Sequence, residues 1–330
     1  MKLANAFGLW TELSLALQTA LIPTMKDVWK KPATISHLSR TFMAHVWIAF
    51  ASQVDANART VKRELFLPNA TGVVLDIGAG LGHGVQYLDH SKITKYVAVE
   101  PNIRMHPELR RSAAAAGYLE SNGTLVILGC ALKLEVLSGL SAGFGHTIQY
   151  LDCSKVTKYV ALEPNIQMHS RIRDTAECAG FHESDGSLVI LSCGAEDTLE
   201  ILKVLGDPYP VDTITSVLTL CSIPSPKRVI TSLVKDVLKP GGQVLFYEHV
   251  LSPRADVAWW QRFWTPLWSI FLDGCRLDCP THLHIEEMKY TDDMGNGVSM
   301  WDGGETWGKP DESEENLWWH QAGRFVKHVQ

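Results

Sequence analysis

The chain has 330 residues, enough to bury one large core or two modest ones. Its 46% hydrophobic and 20% charged residues are ordinary for a globular protein. A net charge of −6 gives no basic footprint for gripping phosphates, which argues against nucleic acid as a partner.

The N-terminal region, residues 1–66, reads as helical. Phe7, Trp10, Leu13, Leu17 and Leu21 recur at helical spacing with polar residues between them, and Pro23 is expected to end the pattern. Lys26, Lys30 and Lys31 follow. An interfacial membrane helix and a helix docked on the domain both fit this pattern. No run of about 20 apolar residues supports a transmembrane span. A second helix is expected over residues 36–66, capped by Ser36 or Ser39 and apolar along Met43, Val46, Trp47 and Phe50.

Residues 67–250 read as an α/β domain. Val73–Asp76, bounded by Gly72 and Gly78, has the look of a buried parallel strand. A helix over 82–90, a strand over 96–100, a strand over 212–220, a helix over 226–238 and a strand over 243–249 are expected to follow. This alternation argues for a parallel sheet covered by helices. Residues 251–330 are rich in Trp, Gly and acidic residues and read as an aromatic cover rather than more sheet. Within them Trp259, Trp260, Phe263, Trp264, Trp268 and Phe271 keep helical spacing, which suits either core packing or a lid.

The middle of the chain repeats itself. Residues 80–130 align with 143–193 at a constant offset of 63, and 32 of 51 positions are identical. Two such similar units indicate a segmental duplication and are too few for a stacked solenoid.

The chemistry concentrates at Val74–Gly82, a strand running into a glycine-rich turn. Glycines let backbone N–H groups approach a ligand closely. Such a turn fits a dinucleotide or S-adenosylmethionine, or is purely structural. The spacing Gly78-x-Gly80-x-Gly82 differs from the G-x-G-x-x-G that seats a pyrophosphate. Asp76 closes the strand, where it can hold an ammonium. Glu100 ends the next strand, with Asn102 beside it, where a carboxylate can accept both ribose hydroxyls. In the second copy Asp76 and Gly78 are replaced by Gly139 and Ser141, while Glu163 matches Glu100. Only that copy carries acids after its third strand, in Ala195-Glu196-Asp197, suited to the adenine amino group. Each copy thus keeps half of a cofactor site.

His249, ending a strand beside Glu248, is the first candidate for a general base, with His83 second. A hydrogen-bonded structural role for His249, and a pocket-wall role for Cys221, are the plainer readings. The seven cysteines are scattered and follow no secretory leader, so free thiols in a reducing compartment are expected. Cys275-x3-Cys279 with His282 and His284 lies near common zinc spacings without matching one, so buried thiols and no metal are expected.

Three runs carry a family resemblance: Leu218-Thr219-Leu220-Cys221-Ser222-Ile223-Pro224, then Val237–Gly242 with Phe246–Val250, and Trp264–Trp268 with Asp273-Gly274-Cys275. Together they resemble the methyltransferase-like protein seven family of small-molecule thiol methyltransferases. The resemblance implies a Rossmann-like class I methyltransferase sheet with helices on both faces. It implies Asp76, Gly78, Gly80, Gly82, Glu100 and Asn102 around S-adenosyl-L-methionine, and Ala195, Glu196 and Asp197 near its adenine. Leu218, Thr219 and Cys221 would face the methyl group. The implied reaction is methyl transfer to O or S of a small apolar acceptor. The implied location is cytoplasmic and peripheral on the endoplasmic reticulum or lipid droplets through residues 1–31. A catalytically inactive binding protein disrupted by its duplication, and a nicotinamide-dependent reductase, are the competing readings.

Overall fold

In the computed structural model, which describes residues 1–100, 102, 104–128, 159–162, 173, 177, 184, 188–191, 202, 209–292 and 294–329, the apolar run from Val73 forms β1 (Gly72–Ile77). β2 (Ile93–Val99) lies parallel to it, and β3 (Leu125–Leu128) lies parallel to β2. Between them runs the helix His106–Ala115. Farther along come β6 (Val211–Val217) and β7 (Leu238–His249), then β8 (Lys289–Thr291) paired with β9 (Gly297–Ser299), then β10 (Trp301–Gly308) and β11 (His320–Lys327). One seven-stranded sheet has the order β10-β11-β7-β6-β1-β2-β3. Counting only its own strands, that is 3-2-1-4-5-7-6, the doubly wound order with one extra strand inserted near the end. The inserted β11 is antiparallel to both of its neighbours. This is a Rossmann-like α/β fold.

By contacts along the chain, two compact units separate: Met1–Asn69 with Thr215–Lys227 and Gln243–Gln330, and Ala70–Ile214 with Arg228–Gly242. In the first, α1 (Leu3–Ala6), α2 (Gly8–Lys30) and α3 (Leu38–Asn69) lead the chain. Pro23 does not end α2, contrary to expectation. A proline inside a helix costs about 3 kcal/mol. Here Leu9, Leu13, Ala16, Ala20 and Thr24 bury one face both before and after it, which offsets the cost. The expected stripe also splits, because Leu13 is buried whereas Phe7, Trp10 and Leu21 are exposed. The aromatic run forms a helix over Ala255–Phe271, as its spacing predicts, with Trp264 and Trp268 in the core. Residues 301–308 and 320–327 correct the expectation of a cover without strands.

Two expectations shorten. Residues 82–90 hold a single 3-10 turn, Val85–Tyr87, rather than a helix. Gly82 and Gly84 each cost a helix about 1 kcal/mol relative to Ala, which explains the loss. The helix from Pro226 stops at Ser232, and a wide π turn over Leu233–Val237 leads straight into β7.

The duplicated segment gives two strand pairs. β4 (Tyr159–Leu162) and β5 (Leu188–Leu191) form their own parallel two-stranded sheet. Its register, Tyr159 opposite Leu188, is that of Tyr96 opposite Leu125 moved on by the repeat offset. The first copy therefore supplies the sheet's third strand.

Candidate functional site

In the second unit, β1 and β2 end side by side and deliver the two expected acids. Asp76 is buried, and Tyr96 from β2 donates its hydroxyl to Asp76 Oδ2 at 2.6 Å. Burial and the adjacent carboxylate hold the Tyr96 phenol well above its ordinary range, so it stays a donor. Sequence reasoning missed Tyr96, which stands in β2 four residues before Glu100.

Glu100 joins the two loops that follow the strands. Its Oε2 accepts the Gly80 N–H at 2.7 Å, and its Oε1 accepts the Asn102 N–H at 2.6 Å. Its own backbone carbonyl is bonded by His106 Nε2 at 2.7 Å. Burial lowers the His106 pKa, which keeps that ring neutral. The turn itself needs its glycines. Gly78, Gly80 and Gly82 all have positive φ (68°, 56° and 81°), and a Cβ on Gly82 would fall 2.9 Å from both Leu109 and Ser112.

In the first unit, the loop after β6 is held from β7. Leu218 sits at φ 52°, a left-handed conformation rare for a branched side chain, and donates its N–H to Tyr247 O at 2.9 Å. Glu248, fully buried, accepts the Thr219 N–H at 3.0 and 3.1 Å and the Ser216 hydroxyl at 2.7 Å. Burial raises its pKa, and these donors oppose the rise.

His249 is buried next to Glu248, and its Nε2 lies 3.4 Å from Cys275 Sγ. Cys275 Sγ lies 3.7 Å from Cys221 Sγ. Cys221 thus faces a second thiol. Bonding from Cys221 and the charge of His249 hold Cys275 low, against burial, while Cys221 is pushed up by Cys275 and by burial. Burial alone would lower His249, but Cys275 and Glu248 outweigh it and the imidazole is raised. Cys279 is buried too, and burial raises its thiol to about 11. Ala195, Glu196 and Asp197, together with Gly139, Ser141 and Glu163, lie outside the described residues.

The second-unit cradle fits S-adenosylmethionine on its own evidence. Within the glycine turn His83 Nε2 is buried without a hydrogen-bond partner, an atom a polar ligand would satisfy. A carboxylate accepts up to about four hydrogen bonds, so Glu100 can be fixed by backbone donors and still receive vicinal hydroxyls.

Residues 50–286 match the family model described as "Methyltransferase domain". The chain belongs to this methyltransferase-domain family. Among curated relatives, the methyltransferase is 39% identical to "Thiol S-methyltransferase TMT1B" of Rattus norvegicus over 94 residues. That match covers 28% of this chain and 38% of the relative. "Thiol S-methyltransferase TMT1A" of Homo sapiens is 37% identical over 85 residues, 24% of this chain and 33% of the relative. The match therefore spans only about a third of the length of these relatives. Among solved structures, the YcgJ protein of Bacillus gives a TM-score of 0.43 at 11% identity, covering 83% of this chain and 99% of that one. A possible histamine N-methyltransferase of Thermotoga maritima gives 0.39 at 12% identity, covering 86% and 99%.

Proposed function

We propose that this protein is an S-adenosylmethionine-dependent methyltransferase that moves the methyl group to the sulfur of a small apolar thiol. The observation that carries the sulfur reading is the similarity to thiol S-methyltransferases. The state of His249 supports it. A hydroxyl acceptor needs a base within hydrogen-bond reach, and the base candidate on β7 has its Nε2 committed to Cys275. A thiol, with a pKa near 8.5, ionises with little help.

Bound in the cradle, S-adenosylmethionine supplies a methyl group on a sulfonium. Asp76, steadied by Tyr96, receives the ammonium, and Glu100 with Asn102 receives the ribose. Gly78, Gly80 and Gly82 bring backbone close to the ligand. Ala195, Glu196 and Asp197 are assigned to the adenine, and Leu218, Thr219 and Cys221 to the region of the methyl group. S-adenosylmethionine would supply the methyl group with S-adenosylhomocysteine as leaving group, and the chain's part would be to align the acceptor sulfur and exclude bulk water while the thiol proton passes to solvent. The test is labelled methyl transfer to a panel of thiols, phenols and carboxylic acids. Thiols are expected to react at least about ten times faster, and a phenol or acid at the head of the panel overturns the assignment.

The reading extends to a membrane surface. No helix among the described residues is long and apolar enough to cross a membrane. Yet α2 exposes Trp10, Ile22, Met25 and Trp29 (89% exposed), and in the same unit the Ala255–Phe271 helix exposes Trp259, Phe263 and Ile270. Exposed large apolar groups in such number, with Lys26, Lys30 and Lys31 nearby, suit peripheral binding to an anionic bilayer. We assign this role to residues 1–31, with the endoplasmic reticulum or lipid droplets as the surface. The protein is expected to float with phosphatidylcholine–phosphatidylserine vesicles, and Ile22→Asp with Trp29→Asp to cut the bound fraction about tenfold. Both positions are solvent-facing, so the fold should survive. A parent protein that stays at the bottom of the gradient overturns the proposal.

A further inference from the structure

Three side chains from distant segments meet inside the first unit. Cys221 follows β6, His249 ends β7, and Cys275 follows the Ala255–Phe271 helix. The Cys221 and Cys275 sulfurs are 3.7 Å apart, and Cys275 Sγ is 3.4 Å from His249 Nε2. All three ligand atoms lie within 4.8 Å of one another, and all three residues are buried. It is the one such group among the described residues.

Tetrahedral zinc, with Zn–S about 2.3 Å and Zn–N about 2.0–2.1 Å, sets two sulfur ligands about 3.8 Å apart and sulfur and nitrogen about 3.6 Å apart. The separations in this protein are just below those values. The geometry points to a zinc site built from Cys221, His249 and Cys275. Two thiolates balance the dication, which suits a site closed off from water. Two softer sulfurs and an imidazole also favour zinc over magnesium or calcium.

Other arrangements explain less. A disulfide would bring the sulfurs to about 2.05 Å and leave His249 without a role. A thiolate–imidazolium pair between Cys275 and His249 would leave Cys221 without one. The nearby Cys279 does not join the group. Its sulfur turns to the Cys221 carbonyl at 4.0 Å, which makes it a built-in control. The His249 ring is further fixed by Trp318, which stands at 83° to it with centroids 5.0 Å apart.

The test uses the full chain, purified without chelator. Elemental analysis is expected to find about one zinc per chain. Exchange with Co2+ is expected to give a thiolate-to-cobalt charge-transfer band and the intense visible bands of a tetrahedral site. Cys221→Ser, His249→Ala and Cys275→Ser should each lose the charge-transfer intensity or shift it, whereas Cys279→Ser should match the parent. Where a variant does not fold, the parent decides, since titrating its thiols with an organomercurial should release zinc to a metallochromic dye. A parent with no thiolate–cobalt band overturns the site. So does Cys275→Ser with an unchanged spectrum, or a Cys221–Cys275 disulfide found by mass spectrometry in freshly purified protein. None of these results depends on the acceptor, so failure here leaves the methyltransferase reading standing.

Discussion

Replacing Glu100 by glutamine is expected to weaken binding of S-adenosylhomocysteine about 100-fold, measured by titration calorimetry. The two carboxylate oxygens accept one backbone N–H each, from Gly80 and Asn102. Glutamine turns one acceptor into an NH2 donor, so one of those N–H groups would face a donor. Hydrogen bonds to a charged group contribute about 1.5–3 kcal/mol each, and both the turn and the ribose contact draw on this one carboxylate. A loss of about 3 kcal/mol corresponds to about two orders of magnitude. The duplication sharpens the test. If Glu163 held the ribose, Glu163→Gln would lose the affinity and Glu100→Gln would keep it to within about threefold. That outcome would move the site to the second copy.

How far the sequence carried the structure follows from the physics of each element. The strand–turn–strand unit was readable because apolar runs bounded by glycine have few alternatives. The acids at the two strand ends fell where the fold needs them. The last two strands were not readable. Trp301–Gly308 holds three glycines, which ordinarily weaken a strand, but Gly304 makes room for an aromatic ring. A Cβ on Gly304 would enter the ring of Phe325, and one on Gly323 would enter that of Phe246. The N-terminal stripe misled for the opposite reason. Ala16 and Ala20 bury the close-packed face of α2, while the larger Trp10 and Leu21 stay outside, so residue hydrophobicity pointed to the wrong side. The Cys221–His249–Cys275 group joins three segments that only the fold brings together. No spacing rule applies across such separations. By contrast, Cys279, which stands at suggestive spacing from Cys275, turns its sulfur to the Cys221 carbonyl.

Glu248→Ala is expected to cost the fold about 4 kcal/mol in chemical denaturation of the full chain. Glu248 is 0% exposed, and its carboxylate accepts the Ser216 hydroxyl near the end of β6 and the Thr219 N–H in the loop after it. Alanine removes both acceptors at once. A buried donor left unsatisfied costs about 1–3 kcal/mol, and two of them account for most of the effect. The remainder comes from the cavity that truncating a fully buried side chain leaves behind. Glu248→Gln separates the two contributions. Its amide oxygen can still accept the Thr219 N–H, so it should recover about half of the loss. The same loop carries Leu218, Thr219 and Cys221, assigned above to the region of the methyl group. Glu248→Gln should therefore lower the rate of methyl transfer more than it lowers affinity for S-adenosylhomocysteine. Equal stability of Glu248→Ala and the parent would show that the loop holds its shape without the carboxylate, and the positioning role would fall with it.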